Sequence, residues 1–248
     1  MVSYSPPVEL PCSSPDGTLV KFVLTRYKIL LALALTGLLT ACSSGGGAIL
    51  RTFQDGFGFG KSTALAPLNP ALRYLRLTVD GQVGLMVLGY VDPAPRTGQA
   101  PVEVWYSSSR EVLRLSDGRV IGVAGLADEW RNVSIDRPPS WQALVQSNQG
   151  VTLTRKRDVM PGYRYGVEDK LEIRKIPPPS RSSLADLDPG ALTWFEESVV
   201  TGKAALPPAR YAVDAGNGQP QVVYAEQCLT EKLCFSWQKW PALARGGQ

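Results

Sequence analysis

Short runs of apolar, β-branched and aromatic residues recur from about residue 71 onward, and turn residues separate each run from the next. The run from Arg73 to Val79 alternates between polar and apolar residues, which is typical of a strand with one buried face. Asp80-Gly81 favours a type I′ hairpin, and Gln82 to Val91 is apolar enough to be buried on both faces. No long apolar stripe with helical period occurs, so the sequence predicts an all-β domain.

Nine further runs have the length and composition of strands. Ala127 to Gln146 is ambiguous and could hold one or two short helices, and Pro177-Pro178-Pro179 predicts a stiff linker within the domain. The regular spacing favours a meander or a barrel over βαβ units. The nine predicted strands are Val102–Tyr106, Glu111–Leu115, Arg119–Val123, Val151–Asp158, Gly162–Ile176, Leu192–Val200, Arg210–Val213, Gln221–Gln227 and Phe235–Lys239.

The N-terminal part of the chain has the layout of a secretory leader. Positive charges lie between Lys21 and Lys28, and the apolar stretch from Ile29 to Leu39 is too short to span a bilayer. It ends in Leu39-Thr40-Ala41-Cys42, which resembles the bacterial lipobox. That resemblance implies diacylglyceryl transfer to the Cys42 thiol, cleavage before Cys42 and acylation of the new amino terminus. The alternatives are an ordinary signal peptide and a short anchor.

These features divide the chain into three predicted parts. Residues 1–41 form a signal peptide, of which residues 1–19 do not resemble a leader, so we expect translation to start near Leu19 or Val20. Residues 42–70 hold the lipidated cysteine and a flexible tether rich in Gly, Ser and Pro, and residues 71–248 form one β-rich domain. Two or more acyl chains anchor a protein stably. By resemblance to sorting in enteric bacteria, Ser43 favours the outer membrane, with the domain facing the periplasm.

Cys228 and Cys234 remain as an even pair once Cys42 is acylated. In an oxidising periplasm they can form a disulfide across a hairpin with a five-residue loop. The alternative is a pair of buried free thiols. The mature chain that begins at Cys42 has no histidine and no third free cysteine to complete a metal site, so the spacing is a weak metal signal.

The lack of histidine also excludes His-based triads, His general bases and His-ligated metals, and we expect no cofactor. The segment from Asp55 to Thr63 imitates a phosphate loop, but Asp55 stands where that motif requires glycine. The acidic doublets Asp128-Glu129, Glu168-Asp169 and Glu196-Glu197 point to opposite faces of a strand, so none is itself a glycosidase pair. The net charge of +4 is too mild for a nucleic-acid-binding protein. We therefore predict a protein that is not an enzyme.

Six tryptophans could fill a core or stack against sugar rings. We expect most of them in the core, with a minority available to a glycan. In Trp105-Tyr106 one ring should point inward and the other outward, because successive side chains of a strand alternate. The six are Trp105, Trp130, Trp141, Trp194, Trp237 and Trp240.

The stretch from Trp105 to Leu126 is similar to a known family. After Trp105 come a polar turn, the run Arg110 to Leu115, the Asp117-Gly118 turn and Gly125-Leu126. Arg155, Asp158, Tyr163 and Tyr165 follow downstream, before a C terminus that contains tryptophan. Together with the lipobox, these features resemble the bacterial YjbF family, the group 4 capsule polysaccharide lipoproteins, over roughly residues 70–240.

The resemblance implies an all-β, antiparallel incomplete barrel or half-barrel, to which we add one or two short helices. It also implies a role in exopolysaccharide or capsule production and export, and it supplies no catalytic residue. Three hypotheses follow: an accessory lipoprotein that binds glycan or an export partner, a half-barrel that handles lipids or lipoproteins, and a glycan-modifying enzyme. We favour the first, with no nucleic-acid partner. The candidate binding residues are Trp105, Tyr106, Arg155, Asp158, Tyr163 and Tyr165.

Overall fold

The computed structural model of this chain describes residues 68–94, 99–201, 206–216 and 218–242. The predicted signal peptide, Cys42 and the segment that imitates a phosphate loop lie outside these residues. Within them, twelve strands follow one another as an antiparallel meander, interrupted by one short helix, α1 (Trp141–Gln146), and one 3₁₀ turn (Pro189–Ala191). The strands are β1 (Tyr74–Val79), β2 (Gln82–Asp92), β3 (Val102–Tyr106), β4 (Val112–Ser116), β5 (Arg119–Ala124), β6 (Glu129–Ile135), β7 (Val151–Met160), β8 (Arg164–Ile176), β9 (Thr193–Thr201), β10 (Ala209–Asp214), β11 (Gln221–Cys228) and β12 (Cys234–Trp240).

The first and last strands pair and close the sheet into a barrel. The register between β1 and β12 runs from Tyr74 opposite Trp240 to Val79 opposite Phe235. The predicted all-β antiparallel class is confirmed, but the predicted incomplete barrel or half-barrel is wrong. Closure is favoured because an open sheet would leave backbone N–H and C=O groups unpaired along two edges.

The strand predictions are confirmed to within two residues at their ends, with two differences. Strand β6 lies in the stretch that was predicted as helical or ambiguous, so that stretch holds one strand and one helix. The return strand β2 is not buried on both faces, because Tyr90 and Val91 near its end are 49% and 45% exposed. The first turn is of the predicted type, since Asp80 and Gly81 both have positive φ, at 48° and 76°.

We call the end of the barrel at which the chain enters β1 the lower end, and the end with the β1–β2, β5–β6, β7–β8 and β11–β12 connections the upper end. Inward-facing residues fill the lumen. Five tryptophans are at most 1% exposed, which confirms the prediction that most belong to the core: Trp105, Trp130, Trp141 and Trp237 in the lumen, and Trp194 in a second cluster on the outer wall.

Helix α1 packs into the lower part of the lumen. Ser140 caps its N terminus by accepting a hydrogen bond from the Ala143 N–H. The Trp141 ring packs against Phe195 and Tyr211, with ring centroids 5.5 Å and 5.1 Å away. The guanidinium of Arg119 lies 4.1 Å from the centre of the Trp141 ring, in cation–π geometry. These contacts fix α1 as part of the core.

Residues 177–192 form a strap over the outer faces of β10, β11 and β12. The Ser183 N–H donates to the Tyr224 hydroxyl over 2.8 Å, and the Ser183 carbonyl accepts from Arg76 over 2.9 Å. The Gln238 side chain exchanges two hydrogen bonds with the Ala185 backbone. Beneath the strap, Trp194 and Tyr224 meet edge to face, so this side of the barrel is covered by the chain itself.

The predicted disulfide is present. Cys228 ends β11, Cys234 begins β12, and the two pair directly across the hairpin with a Cα–Cα distance of 4.0 Å. The Leu229 N–H also donates to the Leu233 carbonyl over 2.9 Å inside the loop. In the described part of the chain no helix is long and apolar enough to cross a membrane.

Candidate functional site

An open pocket of about 590 Å³ lies at the upper rim, between the β5–β6 loop and the β7–β8 turn. Carboxylates, a guanidinium and exposed aromatic rings share its lining with apolar residues. The residues that matter for its chemistry are Glu129, Arg131, Asp158, Met160, Tyr163 and Tyr165.

A bulge in β6 places Arg131 at this pocket. The register of β6 against β7 shifts between Trp130 and Asn132, which leaves Arg131 as the extra residue. The Arg131 side chain is 58% exposed, and its Nε pairs with the Glu129 carboxylate. The bulge therefore presents a guanidinium to solvent next to a nearly buried carboxylate.

Glu129 also fixes the β5–β6 loop. Its second carboxylate oxygen accepts a hydrogen bond from the Gly125 N–H over 2.6 Å. Gly125 has φ +90°, and a Cβ there would come within 3.0 Å of the Glu111 Cα, so only glycine suits this position. Since both Glu129 oxygens have partners inside the protein, the exposed guanidinium is the more available of the two charged groups.

The β7–β8 turn carries the two most exposed aromatic side chains of the described residues. Tyr163 is 74% exposed and Tyr165 is 67% exposed. Gly162 and Tyr163 both have positive φ, which turns the chain sharply between the strands. Asp158 ties the base of this hairpin, because one of its carboxylate oxygens accepts from the Gly166 N–H over 2.8 Å.

On the inner side of the same wall lies a buried cluster of charges. The Asp169 carboxylate accepts hydrogen bonds from both Arg155 and Arg157, at distances of 2.7–3.1 Å. Arg155 also contacts Glu197 at 3.4 Å. The two guanidinium groups lie 4.8 Å and 4.6 Å from the centre of the Trp130 ring. We call these five residues the lumen cluster.

Burial governs the charge state of the lumen cluster. Desolvation raises the pKa of Glu197, and the positive charge of Arg155 opposes that shift only in part. Asp169 is fully buried, and its two arginine partners satisfy it through bonds that are stronger than neutral ones. Breaking such a buried pair leaves an uncompensated charge in the interior, so the cluster constrains how β7, β8 and β9 pack.

The structure brings together three of the six predicted binding residues. Asp158, Tyr163 and Tyr165 all line the rim pocket. Arg155 lies on the same strand as Asp158 but faces inward, into the lumen cluster. The remaining two are on β3 and follow the predicted alternation, with Trp105 buried inside and Tyr106 38% exposed outside.

Sequence reasoning missed Glu129 and Arg131 as parts of the pocket. They lie in the stretch whose secondary structure was ambiguous, and their placement depends on a bulge. The one available signal was the sequence Glu129-Trp130-Arg131, in which an aromatic residue separates two opposite charges. No group of three or more His, Cys, Asp or Glu side chains in the described residues is placed to hold a metal ion.

These features define a filled, closed, twelve-stranded antiparallel barrel whose open pocket lies on the rim and not in the lumen. The chain belongs to the YjbF family: the family model described as "Group 4 capsule polysaccharide lipoprotein gfcB, YjbF" matches residues 61–230. The resemblance expected from the Trp105–Leu126 stretch is thereby confirmed, and the chain is a member of a family of capsule polysaccharide lipoproteins.

The crystal structure of the hypothetical lipoprotein YmcC from Escherichia coli (K12) is similar to this chain, with a TM-score of 0.48 and 17% sequence identity. The match covers 70% of this chain and 85% of that chain. No curated protein matches the chain in sequence.

Proposed function

We propose that this protein is an outer-membrane lipoprotein that faces the periplasm and serves capsule or exopolysaccharide production and export without catalysing a reaction. Its anchor is the acylated Cys42 predicted from the lipobox. Its rim pocket binds the glycan, or an export partner that carries it. Membership of a capsule polysaccharide lipoprotein family supports the general role.

The observation that carries the proposal is the pairing of Tyr163 and Tyr165 with charged groups in one open pocket. Aromatic faces offer an apolar surface to the C–H groups of a sugar ring. Asp158 and Arg131 stand beside them as an acceptor and a donor for hydroxyl groups. Sites that combine apolar walls with a few polar groups are typical of small-ligand recognition.

The lumen offers little support for the lipid-handling alternative. Its upper cavity, lined by residues such as Leu77, Met86 and Phe235, measures about 20 Å³. That is room for about one water molecule, and an acyl chain is many times larger. The aliphatic surfaces inside the barrel already pack against one another.

The enzyme alternative would need two convergent carboxylates that a substrate can reach. Asp169 and Glu197 do converge on Arg155. Both are buried in the lumen cluster, at 0% and 4% exposure, and neither lines the rim pocket. Their arginine partners account for their placement, so we assign them a structural role.

The direct test is binding of the purified capsule or exopolysaccharide of the producing bacterium to the acylated protein in detergent. Tyr163→Ser/Tyr165→Ser should weaken binding strongly while the circular dichroism spectrum stays unchanged. Tyr90→Ser removes an exposed tyrosine outside the pocket and serves as the matched control, with binding retained. If the wild type, the double variant and the Tyr90→Ser variant bind equally well, the pocket is not the binding site.

A second test addresses the role in export. Deletion of the gene should reduce secreted polysaccharide, and the wild-type gene should restore it. The Tyr163→Ser/Tyr165→Ser gene should fail to restore it at equal protein abundance. Normal export in the deletion strain would contradict the accessory role.

A further inference from the structure

The outer surface of the barrel differs strongly from side to side. On β7, β8 and β9 the outward residues are mainly charged, as in the exposed ion pairs Lys156–Glu168 and Arg174–Glu196. The strap covers β10 to β12. On β2 and β3 the outward residues are mostly apolar and three of them are exposed, whereas β4 also presents Arg114 and Ser116. We call this third surface the tyrosine flank, formed by Val83, Leu85, Val87, Tyr90, Tyr106 and Val112.

Strand register builds the tyrosine flank. Val87 lies opposite Tyr106, and Tyr106 lies opposite Val112 on the next strand. The Tyr90 and Tyr106 rings lie 6.3 Å apart. Between them the chain has Gly89, where a Cβ would come within 2.5 Å of the Tyr106 ring. The glycine leaves room for the Tyr106 ring beside Tyr90, and the two rings are tilted by 41° to each other.

Exposed apolar side chains concentrate at this flank. Of the eight large hydrophobic residues that are exposed in the described part of the chain, three belong to the flank and two more, Leu72 and Val91, lie beside it. They include Leu72, two residues before β1 at the lower end of the barrel, and Val83 near the upper end. Contiguous exposed apolar surface on a protein is a common mark of a site that contacts another protein or a membrane.

The position of the chain entry indicates which partner covers the flank. The described chain enters at the lower end of β1, next to β2. Residues 42–67 precede it and can span at most about 90 Å, whatever their arrangement. A lipid on Cys42 therefore keeps the barrel close to a bilayer, where even modest surface contacts have a high effective concentration.

The chemistry of the flank also fits a bilayer surface. Tyrosine has an apolar ring and a polar hydroxyl, and it is enriched where membrane meets water. The charged side on β8 is diametrically opposite β2 in the twelve-strand order, so it faces water when the flank faces lipid. The rim pocket, between β6 and β8, would then face away from the membrane.

We propose that the tyrosine flank rests on the lipid surface to which the protein is anchored, and that this contact orients the rim pocket toward the periplasm. The inference rests on the proposed acylation of Cys42 and adds a second, non-covalent membrane contact. It is independent of which ligand the pocket binds.

The test uses the full acylated protein in vesicles of phosphatidylethanolamine and phosphatidylglycerol. With Cys42 acylated and Cys228 and Cys234 oxidised, a new cysteine is the one free thiol of the mature chain. A fluorophore is attached at Val83→Cys on the flank or at Val200→Cys, where the valine on β9 is 51% exposed against 39% for Val83. Spin-labelled lipid should quench the flank fluorophore several-fold more than the β9 fluorophore.

Two double variants make the result specific. Tyr90→Ser/Tyr106→Ser should abolish most of the quenching at position 83 but keep polysaccharide binding. Tyr163→Ser/Tyr165→Ser, which also removes two exposed tyrosines, should keep the quenching and lose the binding. The flank contact and the pocket function can thus fail separately.

Three results would overturn the inference. If the vesicles float and the protein does not float with them, both the acyl anchor and the flank contact are contradicted. If the protein floats with the vesicles but the fluorophores at positions 83 and 200 are quenched equally, the flank contact alone is contradicted. Self-quenching of the position-83 fluorophore at rising protein density, without spin-labelled lipid, would assign the flank to a second copy of this chain.

Discussion

Trp130 and Arg131 are adjacent on β6, yet they lie on opposite sides of the barrel wall. The Trp130 ring contacts the guanidinium groups of the lumen cluster, and its Nε1 donates to the Leu229 carbonyl over 3.2 Å. The Arg131 side chain is 58% exposed at the rim pocket. The wall that carries the pocket is therefore the wall that the buried charges hold together, which links pocket geometry to the stability of the interior.

Asp158→Ala should loosen the hairpin that carries Tyr163 and Tyr165. The substitution removes the acceptor of the Gly166 N–H, a hydrogen bond worth about 1 kcal/mol at most at this exposed position. We expect faster amide hydrogen exchange at Gly166 and weaker polysaccharide binding. Asp158→Asn keeps an acceptor oxygen and is the matched control, with near wild-type exchange. Equal exchange in both variants would show that this bond does not order the turn.

Asp169→Asn should destabilise the protein by about 3–5 kcal/mol, because it leaves two buried arginines without their shared carboxylate. Asparagine has nearly the same size and shape as aspartate, so the loss of stability measures the effect of the charge and not of a change in volume. Glu168→Gln on the same strand is the control, since that side chain is exposed and pairs with Lys156 at 3.7 Å. The control should lose less than about 1 kcal/mol in denaturant unfolding. A similar loss in both variants would contradict the special role of the lumen cluster.

The local pattern of the chain predicted most of the strands, but not the closure of the barrel. Alternation and turn dipeptides such as Asp80-Gly81 act over a few residues and are visible in sequence. The pairing of Tyr74 with Trp240 depends on how strand twist accumulates around the whole sheet, which no short window contains. The half-barrel was implied by the family resemblance, and the local pattern, which favoured a meander or a barrel, could not show that the two edges pair.

The candidate site was also predictable only where its residues are close in sequence. Tyr163, Tyr165 and Asp158 are close in sequence on one hairpin, so their proximity follows from local structure. Arg131 comes from another strand and reaches the pocket through a bulge, which composition does not reveal. Arg155 lies on β7, the strand that also carries the pocket residue Asp158. Whether its side chain points inward or outward depends on the register of β7 with β6 and β8, which the sequence does not show.

Glu197 makes the stability of the protein depend on pH. Burial raises its folded-state pKa above its ordinary value of 4.5, so the folded protein holds the proton more tightly than the unfolded chain does. The contribution of this group to stability is therefore fully present below the ordinary pKa and is lost as the pH rises through the raised one. Glu197→Gln cannot titrate, so the free energy of unfolding of the variant, relative to wild type, should increase over that window. Denaturant unfolding from about pH 4 to about pH 8 measures it, and a constant difference would contradict the assignment.

Removing the disulfide should destabilise the barrel by about 2 kcal/mol, the loss expected for a short closed loop. In Cys228→Ser/Cys234→Ser the hairpin keeps its hydrogen bond between Leu229 and Leu233, so the barrel should still close. The same loop supplies the Leu229 carbonyl that accepts from Trp130, and the tryptophan fluorescence of the variant should shift on that account. Denaturant unfolding of wild type with a reductant should reproduce the stability of the variant, while the reductant leaves the variant unchanged. If the reductant has no effect on the wild type, the cross-link contributes nothing to the folded state, and the hydrogen bonds of β11 and β12 suffice to hold the last hairpin in the barrel.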